Sequence, residues 1–527
     1  MKSWRLWLIT TTFILLYSAL VFNVYKLQIK KGGYYSARAE SQYRLTDFLN
    51  SQRGNIYFQD KNGNQIPAAL NKRYPVIYAV PKEIADVDEA ANVLAPILNV
   101  TATKLKVLFA KPDDLYELLL SKAADEQVVK IRELNLKGIY IDEQYFRFYP
   151  FGELASQLLG YVGPNDQDGA PEGHYGLEFF YNTDLRDKDL VLTIDRNVQA
   201  QAEQILKTLV EKYDAAGGTV IVQEPKTGKI LAMGSLPSFN PNSYAESPIK
   251  NFLNPASQSV YEPGSVFKVL TMAAGIDSGK ITPDTTFYDS GSLTLNGKTI
   301  KNWDGKAHGT VTMTNVIEES INTGAAFAEK QTGHDLFYNY VSKFGFEEPT
   351  GIALPGEVVG KLTNIKNTFR DINFATASFG QGVSVTPLQL IDAIAAIANG
   401  GELMKPFIIE GTKPEVINRV ISPETASKVT AMMVSAVEKA GVAQIPKYKI
   451  AGKTGTAQVP DFKQGGYGED LIHSYAGFFP ATDPRFIILL KLDKPRGAPL
   501  AGATVVPAFK ELAQFIINYY NISPDNL

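Results

Sequence analysis

Strand patterns stand at both ends of one long segment, and this restricts the possible folds more than any other feature of the chain. Near the start of that segment Asp189-Leu-Val-Leu-Thr-Ile-Asp195 reads as an apolar strand. Asn197 to Tyr213 follows with apolar residues at Val198, Ala202, Ile205, Leu206 and Leu209, the spacing of one helix face. Thr219–Pro225 and Lys229–Ser235, joined by the turn Lys226-Thr-Gly-Lys229, predict a β-hairpin. The pattern then turns helical, and strands return only at Lys449–Val459, Ser474–Phe479 and Phe486–Leu492, before a last helix from Val506 to Tyr519. A sheet assembled from both ends of 188–527 predicts one large α/β domain, an antiparallel sheet flanked by helices.

With 527 residues there is room for more than that domain. Leu6 to Tyr25 carries no charge and is about long enough to cross a bilayer, with Trp4, Trp7 and Tyr25 near the two interfaces. Residues 1–25 are therefore expected to be a cytoplasmic tip and an uncleaved membrane anchor, since no small-x-small cleavage site follows. Lys2 and Arg5 on one side and Lys26, Lys30 and Lys31 on the other leave its orientation open. Residues 26–187 mix β patterns such as Tyr74–Val80 with helical ones such as Val87–Leu98 and Asp113–Leu120. No catalytic constellation stands out there, so this stretch reads as a mixed α+β pedestal or interaction module.

The composition excludes several classes of function. Fifty-two basic residues against 55 acidic ones give a net charge of -3, no electrostatic case for a nucleic-acid partner. Cysteine is absent, so there is no disulfide framework or thiolate chemistry. The four histidines, His174, His308, His334 and His473, lack metal-ligand spacing, and neither a metal nor a cofactor is expected.

Three short patterns carry the chemistry: Ser265-Val-Phe-Lys268, Ser320-Ile-Asn322 and Lys453-Thr-Gly-Thr456. Each is weak alone, because the chain holds a second set at Ser247–Lys250, Ser238–Asn240 and Lys226–Gly228. That second set runs in reverse order within about twenty-five residues of hairpin and loop sequence, and Pro248 disfavours a helix through it. Ser265, by contrast, follows Pro263-Gly264 and opens an apolar helical run, where the helix dipole favours developing negative charge. Lys268 lies one turn on and can reach the Ser265 hydroxyl; burial and the charge of Lys453 would keep it neutral enough to act as a base. Ser320 and Asn322 project from a helix end or loop, suited to proton relay and to holding an amide. On a strand, alternation puts Lys453 and Gly455 on one face and Thr454 and Thr456 on the other; Gly455 would leave room for a substrate backbone, and the lysine and threonines suit a carboxylate.

Nucleophile, base, relay and carboxylate anchor together form a serine acyl-enzyme toolkit, the triple recorded for penicillin-binding proteins and serine β-lactamases. The chain resembles a class B penicillin-binding protein. The likeness runs through Arg53-Gly-Asn-Ile56, Asp60-Lys-Asn-Gly63, Gly173-x-x-Gly-Leu-Glu178, Leu192-Thr-Ile-Asp195, Pro237-Ser-Phe-Asn-Pro241 and Tyr261-Glu-Pro-Gly264. It continues through Thr350-Gly-Ile-x-Leu-Pro-Gly356, Gly380-Gln-Gly382 and Tyr475-Ala-Gly-Phe478. The resemblance implies a transpeptidase domain of serine β-lactamase-like fold and a pedestal of dimerisation type. It implies D,D-transpeptidation of peptidoglycan stem peptides on lipid II-derived strands, acylation of Ser265 by β-lactams, and an oxyanion hole at the N–H groups of Ser265 and Thr456. It also implies an extracytoplasmic catalytic domain on a single-pass anchor in the cytoplasmic membrane. Glu262 before Pro-Gly and Asn322 as the third residue of S-x-N point to a division or sporulation type, partnered by a polytopic lipid II polymerase and other division proteins.

Two departures stand out. Only Phe179–Leu190 separates Gly-Leu-Glu178 from the first strand, shorter than usual in the family, and no glycosyltransferase signature occurs in 26–190. The rivals are a D,D-carboxypeptidase or β-lactamase and a non-enzymatic β-lactam sensor or scaffold. No Glu-x-x-x-Asn lies between Asn322 and Lys453 to activate a deacylating water. With about five residues before the anchor there is no cytoplasmic signalling domain, and no binding repeats are expected after the last helix.

Overall fold

A computed structural model describes residues 3–25, 53–111, 116–165, 167, 169–366, 368–461 and 465–525. Ser3–Tyr25 is a 23-residue helix, α1, whose described side chains lie exposed. Among the described residues no helix is long and apolar enough to cross a membrane.

The chain divides into two compact units, one of residues up to Arg53 with Asn71–Phe146, the other of Gly54–Leu70 with Arg147–Leu527. Strand β1 (Ile56–Gln59) pairs antiparallel with the start of β2 (Gln65–Ala79), as Ile56 opposite Ala69. In the first unit the end of β2 pairs with β3 (Glu117–Leu120) and with β4 (Ile139–Phe148). Helices α2 (Val87–Leu98), α3 (Ala102–Phe109) and α4 (Asp125–Leu134) complete it. The expected helix α2 forms over those bounds because Asp86 accepts from Glu89 N and Asn99 ends it in the left-handed region. The helix expected over 113–120 does not form: 113–115 lie outside the described residues, and Glu117–Leu120 is a strand. Leu120 sits opposite Ile77 in the ladder, so pairing with β2 overrides helix propensity. Ile77, Leu94, Leu105 and Ile131 form this unit's own core.

In the second unit β5 (Leu190–Asp195) runs parallel to β1 and leads into α5 (Arg196–Lys212), capped by the Asp195 carboxylate on the N–H groups of Asn197 and Val198. Then come β6 (Gly217–Gln223) and β7 (Ile230–Leu236). A 3-10 turn, Gly264–Phe267, opens into α6 (Lys268–Asp277). Strand β8 (Thr286–Asp289), the hairpin β9 (Ser292–Leu295) and β10 (Lys298–Lys301), and β11 (Gly309–Thr312) precede α7 (Met313–Glu318) and α8 (Asn322–Thr332). Helices α9 (His334–Lys343), α10 (Asp371–Ala377), α11 (Pro387–Ala398) and α12 (Pro423–Ala440) follow. Strands β12 (Ala451–Pro460), β13 (Tyr467–Phe479) and β14 (Phe486–Asp493) and helix α13 (Val505–Tyr520) end the fold.

The sheet order β12-β13-β14-β6-β7, antiparallel throughout, joins the two ends of the segment. Every residue of β6 is buried, because helices cover both faces. On one face Val198 and Leu206 of α5 and Phe509 and Ile516 of α13 pack on Val220 and Leu490. On the other, Leu270, Ile391 and Ile394 pack with Ile221, Leu489 and Phe478. Helix α11 is buried all round: its sequence is apolar except for Gln389 and Asp392, and Asp392 accepts from Gln223 Nε2 at 2.7 Å. Edge strand β12 lies beside the turn at Ser265, and there the site forms.

Candidate active site

Ser265 is half-buried on the 3-10 turn, and Lys268 is wholly buried at the start of α6. Three-residue spacing on a 3-10 turn puts both on one side. Lys268 Nζ donates to the Ser320 carbonyl at 2.5 Å, to Ser320 Oγ at 3.2 Å and to Asn322 Oδ1 at 2.8 Å. No hydrogen bond joins it to Ser265 among the described residues. The lysine is thus oriented by the S-x-N segment and not by Ser265.

Ser320 lies between α7 and α8 with φ 56°, left-handed backbone that a residue with a Cβ rarely adopts. In this conformation its hydroxyl and its carbonyl both meet Lys268, which accounts for a strained residue at this point. Lys453 on β12 closes the cluster: its Nζ donates to Ser320 Oγ at 3.0 Å, to Thr454 Oγ1 at 3.2 Å and to the Thr454 carbonyl at 3.3 Å. Burial holds both lysines below the usual ammonium range. It takes Lys453 down to about 7, and in Lys268 the positive charge of Lys453 adds to it. Thr454 and Thr456 are half-buried. Thr456 Oγ1 accepts from Ala501 N at 3.2 Å, so its own proton is available to an anion in the cleft.

The packing around the Ser265 turn corrects one expectation. The room at Gly455 is not left for a substrate backbone. A Cβ there would stand 2.4 Å from Ser474 Oγ, 2.7 Å from the Pro263 carbonyl and 3.0 Å from Val266 Cγ2, so the glycine lets β12 close on the turn that carries Ser265. Gly380 works likewise: a Cβ there would lie 2.2 Å from the Gly264 carbonyl, and Gly264 N donates to the Gly380 carbonyl at 3.1 Å. Glu262 accepts from Gly382 N at 3.0 Å and ties the same loop to the residue before Pro263; burial pushes its carboxyl up.

All the singled-out motif residues lie at this one place. The second set lies elsewhere: Lys250 is exposed, and Lys226 pairs with Asp483. Sequence reading passed over Asn302 and Asp289, which hold the start of α8. A usable signal was present, because Ile321 precedes that helix where a capping side chain belongs.

Residues 218–514 match the penicillin binding protein transpeptidase domain, and residues 48–222 the penicillin-binding protein dimerisation domain. The chain belongs to the class B penicillin-binding proteins. Among its relatives is stage V sporulation protein D of Bacillus subtilis, 31% identical over 546 residues, covering 94% of this chain and 83% of that protein. The peptidoglycan D,D-transpeptidase FtsI of Escherichia coli K12 is 29% identical, covering 100% and 93%. Two solved structures share the fold of this penicillin-binding protein. Penicillin-binding protein 2X from Streptococcus thermophilus has a TM-score of 0.71 at 25% identity, over 90% of this chain and 80% of that one. A peptidoglycan synthetase from Bifidobacterium adolescentis has a TM-score of 0.69 at 27% identity, over 91% and 97%.

Proposed function

We propose that Ser265, Lys268, Ser320, Asn322, Lys453, Thr454, Gly455 and Thr456 form the working site of this class B enzyme. The chain is a serine-type D-Ala-D-Ala transpeptidase of peptidoglycan synthesis. The observation that carries the residue roles is the convergence of two buried lysines on Ser320 Oγ, with Asn322 Oδ1 accepting from the first of them, Lys268.

In this reading neutral Lys268 takes the proton of Ser265 as Oγ attacks the penultimate D-alanine carbonyl. The N–H groups of Ser265 and Thr456 receive the oxyanion. Ser320 relays a proton to the departing D-alanine amine, while Asn322 holds the stem-peptide amide. Lys453, Thr454 and Thr456 hold the terminal carboxylate, and Gly455 keeps β12 close enough for its neighbours to reach. An amine from a neighbouring stem peptide then attacks the ester, forms the cross-link and frees Ser265. A β-lactam enters as the same kind of acyl donor and stays attached.

The anchor belongs to the same proposal. It rests on the sequence, in which Leu6 to Tyr25 carries no charge. Its aromatic and aliphatic side chains, Trp7 and Phe13 among them, are exposed. It would fix the catalytic domain outside the cytoplasmic membrane, with a polytopic lipid II polymerase as partner at septa or in sporulation. Depletion in the native host should then give filaments with blocked septa; rounded cells that still divide would refute the division role.

Mass mapping of the penicillin adduct tests the site. Ser265 should carry it, Ser265→Ala should abolish labelling with the fold intact, and Ser247→Ala should label as the parent does. An adduct mapped to Ser247 would overturn the assignment.

A further inference from the structure

Helix α8 begins at Asn322, and the residue at its N-cap position is Ile321, whose side chain cannot accept a hydrogen bond. The first N–H groups of a helix need acceptors, normally supplied by that side chain. Here the acceptor comes from the residue that follows β10: Asn302 Oδ1 receives Asn322 N at 3.1 Å and Thr323 N at 3.2 Å. Asn302 is held in turn, its Nδ2 donating to Asp289 Oδ2 at 2.8 Å and to the Lys306 carbonyl at 3.0 Å.

Asp289 is fully buried and its carboxylate is saturated. It accepts from Thr323 Oγ1 at 2.6 Å, Gly291 N at 2.9 Å, His308 N at 3.0 Å and His308 Nδ1 at 2.7 Å. The carbonyl of Lys301, next to Asn302, takes the Asn322 Nδ2 proton at 2.8 Å. That leaves Oδ1 of the same amide on Lys268 Nζ. The amide of Asn322 is thus fixed at its nitrogen end by the strand before Asn302, and at its backbone by Asn302 itself.

We propose that Asn302 and Asp289 are positioning residues for the transpeptidase reaction: they cap α8 from outside and so aim the Asn322 amide at Lys268 and at the stem peptide. The inference rests on the role proposed above for Asn322. Neither residue touches the nucleophile, and neither belongs to the three motifs.

Replacing Asn302 separates aim from mere support. Asn302→Ala removes the cap. Asn302→Asp keeps an oxygen at the helix start but sets a second carboxyl against Asp289, and two carboxylates so close share one proton. While that proton is held, O–H stands in for the lost N–H and the cap survives; once it leaves, repulsion breaks the network. The other charged groups facing this pair are His308, whose Nε2 lies 3.3 Å from Asp304, and Lys268 beyond Asn322.

Acylation of the full chain by a fluorescent penicillin is measured across the neutral and alkaline range for the parent, Asn302→Ala, Asn302→Asp and Asn322→Ala, with a thermal melt of each. Asn302→Ala should acylate roughly tenfold to a hundredfold more slowly, the scale of a small misplacement of a reacting group. Asn302→Asp should approach the parent near neutral pH, and the ratio of its acylation rate to the parent's should fall as pH rises. Parental rates in both Asn302 variants, or equal slowing with no dependence on pH, would overturn the proposal. If Asn302→Ala fails to fold, the Asn302→Asp profile decides alone. Unchanged acylation in Asn322→Ala would instead remove the role of Asn322; a slow Asn322→Ala beside a parental Asn302→Ala removes the positioning alone.

Discussion

Lys268 and Lys453 donate to the same atom, Ser320 Oγ, from 3.2 and 3.0 Å. Two ammonium groups converging on one hydroxyl in a buried place disfavour each other's charge, and desolvation disfavours both. Lys268 is the more strongly affected in kind, since the charge of Lys453 adds to its burial. A lysine lowered in this way gives up its proton more readily, as the proposed base must, and the second lysine is part of the device that lowers it.

Lys453→Ala should therefore do two things. Acylation by carboxylate-bearing β-lactams should slow by one to two orders of magnitude, as loss of a charge-assisted contact costs about 1.5–3 kcal/mol. Lys268 should also regain affinity for its proton. A base works above its pKa, so the rising limb of the acylation–pH profile should move to higher pH. A slower enzyme with an unmoved limb would show that Lys453 does not tune Lys268.

Gly455→Ala inserts a methyl group 2.7 Å from the Pro263 carbonyl and 3.0 Å from Val266. Both neighbours belong to the turn holding Ser265; the first is backbone and the second is fully buried, so strand and turn must part. Overpacking of this kind costs about 1–3 kcal/mol, and acylation should fall by up to about a hundredfold. A thermal melt with a penicillin-labelling time course checks this; lost stability with unchanged labelling would count against the close approach as a catalytic requirement.

The ion pair Arg147–Glu178 is almost wholly buried, with Nε to Oε1 at 2.6 Å and Arg147 Nη1 donating to the Gly54 carbonyl at 2.8 Å. Glu178→Ala should destabilise by about 3–5 kcal/mol because it strands a buried guanidinium. Arg147→Met combined with Glu178→Leu should cost much less. Denaturant melts of the two variants distinguish them, and an equal loss in both would mean that the pair itself, not its unpaired half, supplies the stability.

His473 lies fully buried on β13 with Nδ1 at 2.9 Å from Thr504 Oγ1, and burial takes it down to about 4. The unfolded chain binds its proton at the ordinary value near 6.5, so between about 6.5 and 4 the unfolded state binds more protons. Stability from this group is fully present above that window and lost as pH falls through it, on the order of 3 kcal/mol. His473→Gln should flatten the fall of melting temperature between neutral and acid pH. An unchanged slope would remove His473 as a cause of acid sensitivity.

Most of the catalytic half was legible in the chain because its signals are local. The strand Leu190–Asp195, the capped helix after it, the hairpin β6–β7 and the three returning strands each carry their own periodicity. The order of the three motifs is what sets Ser265, the proposed nucleophile, apart from Ser247. The region before β5 was less legible. Glu117–Leu120 has no alternation of its own, and it became a strand only because β2 offered it a ladder.

Sequence alone determined the family and the reaction, and it proposed the nucleophile and its neighbours, since these are set by residue type, spacing and order along the chain. The tertiary structure decided how they meet. It gave the room at Gly455 to Pro263 and Val266, turned Lys268 toward Ser320 and Asn322, bent Ser320 into left-handed backbone, and supplied the missing cap of α8 from Asn302. Each of these joins groups far apart in sequence across distances of a few ångströms. Such contacts leave no periodic trace in the chain, because close packing and the need to satisfy buried polar groups act only once the backbone has brought distant segments together.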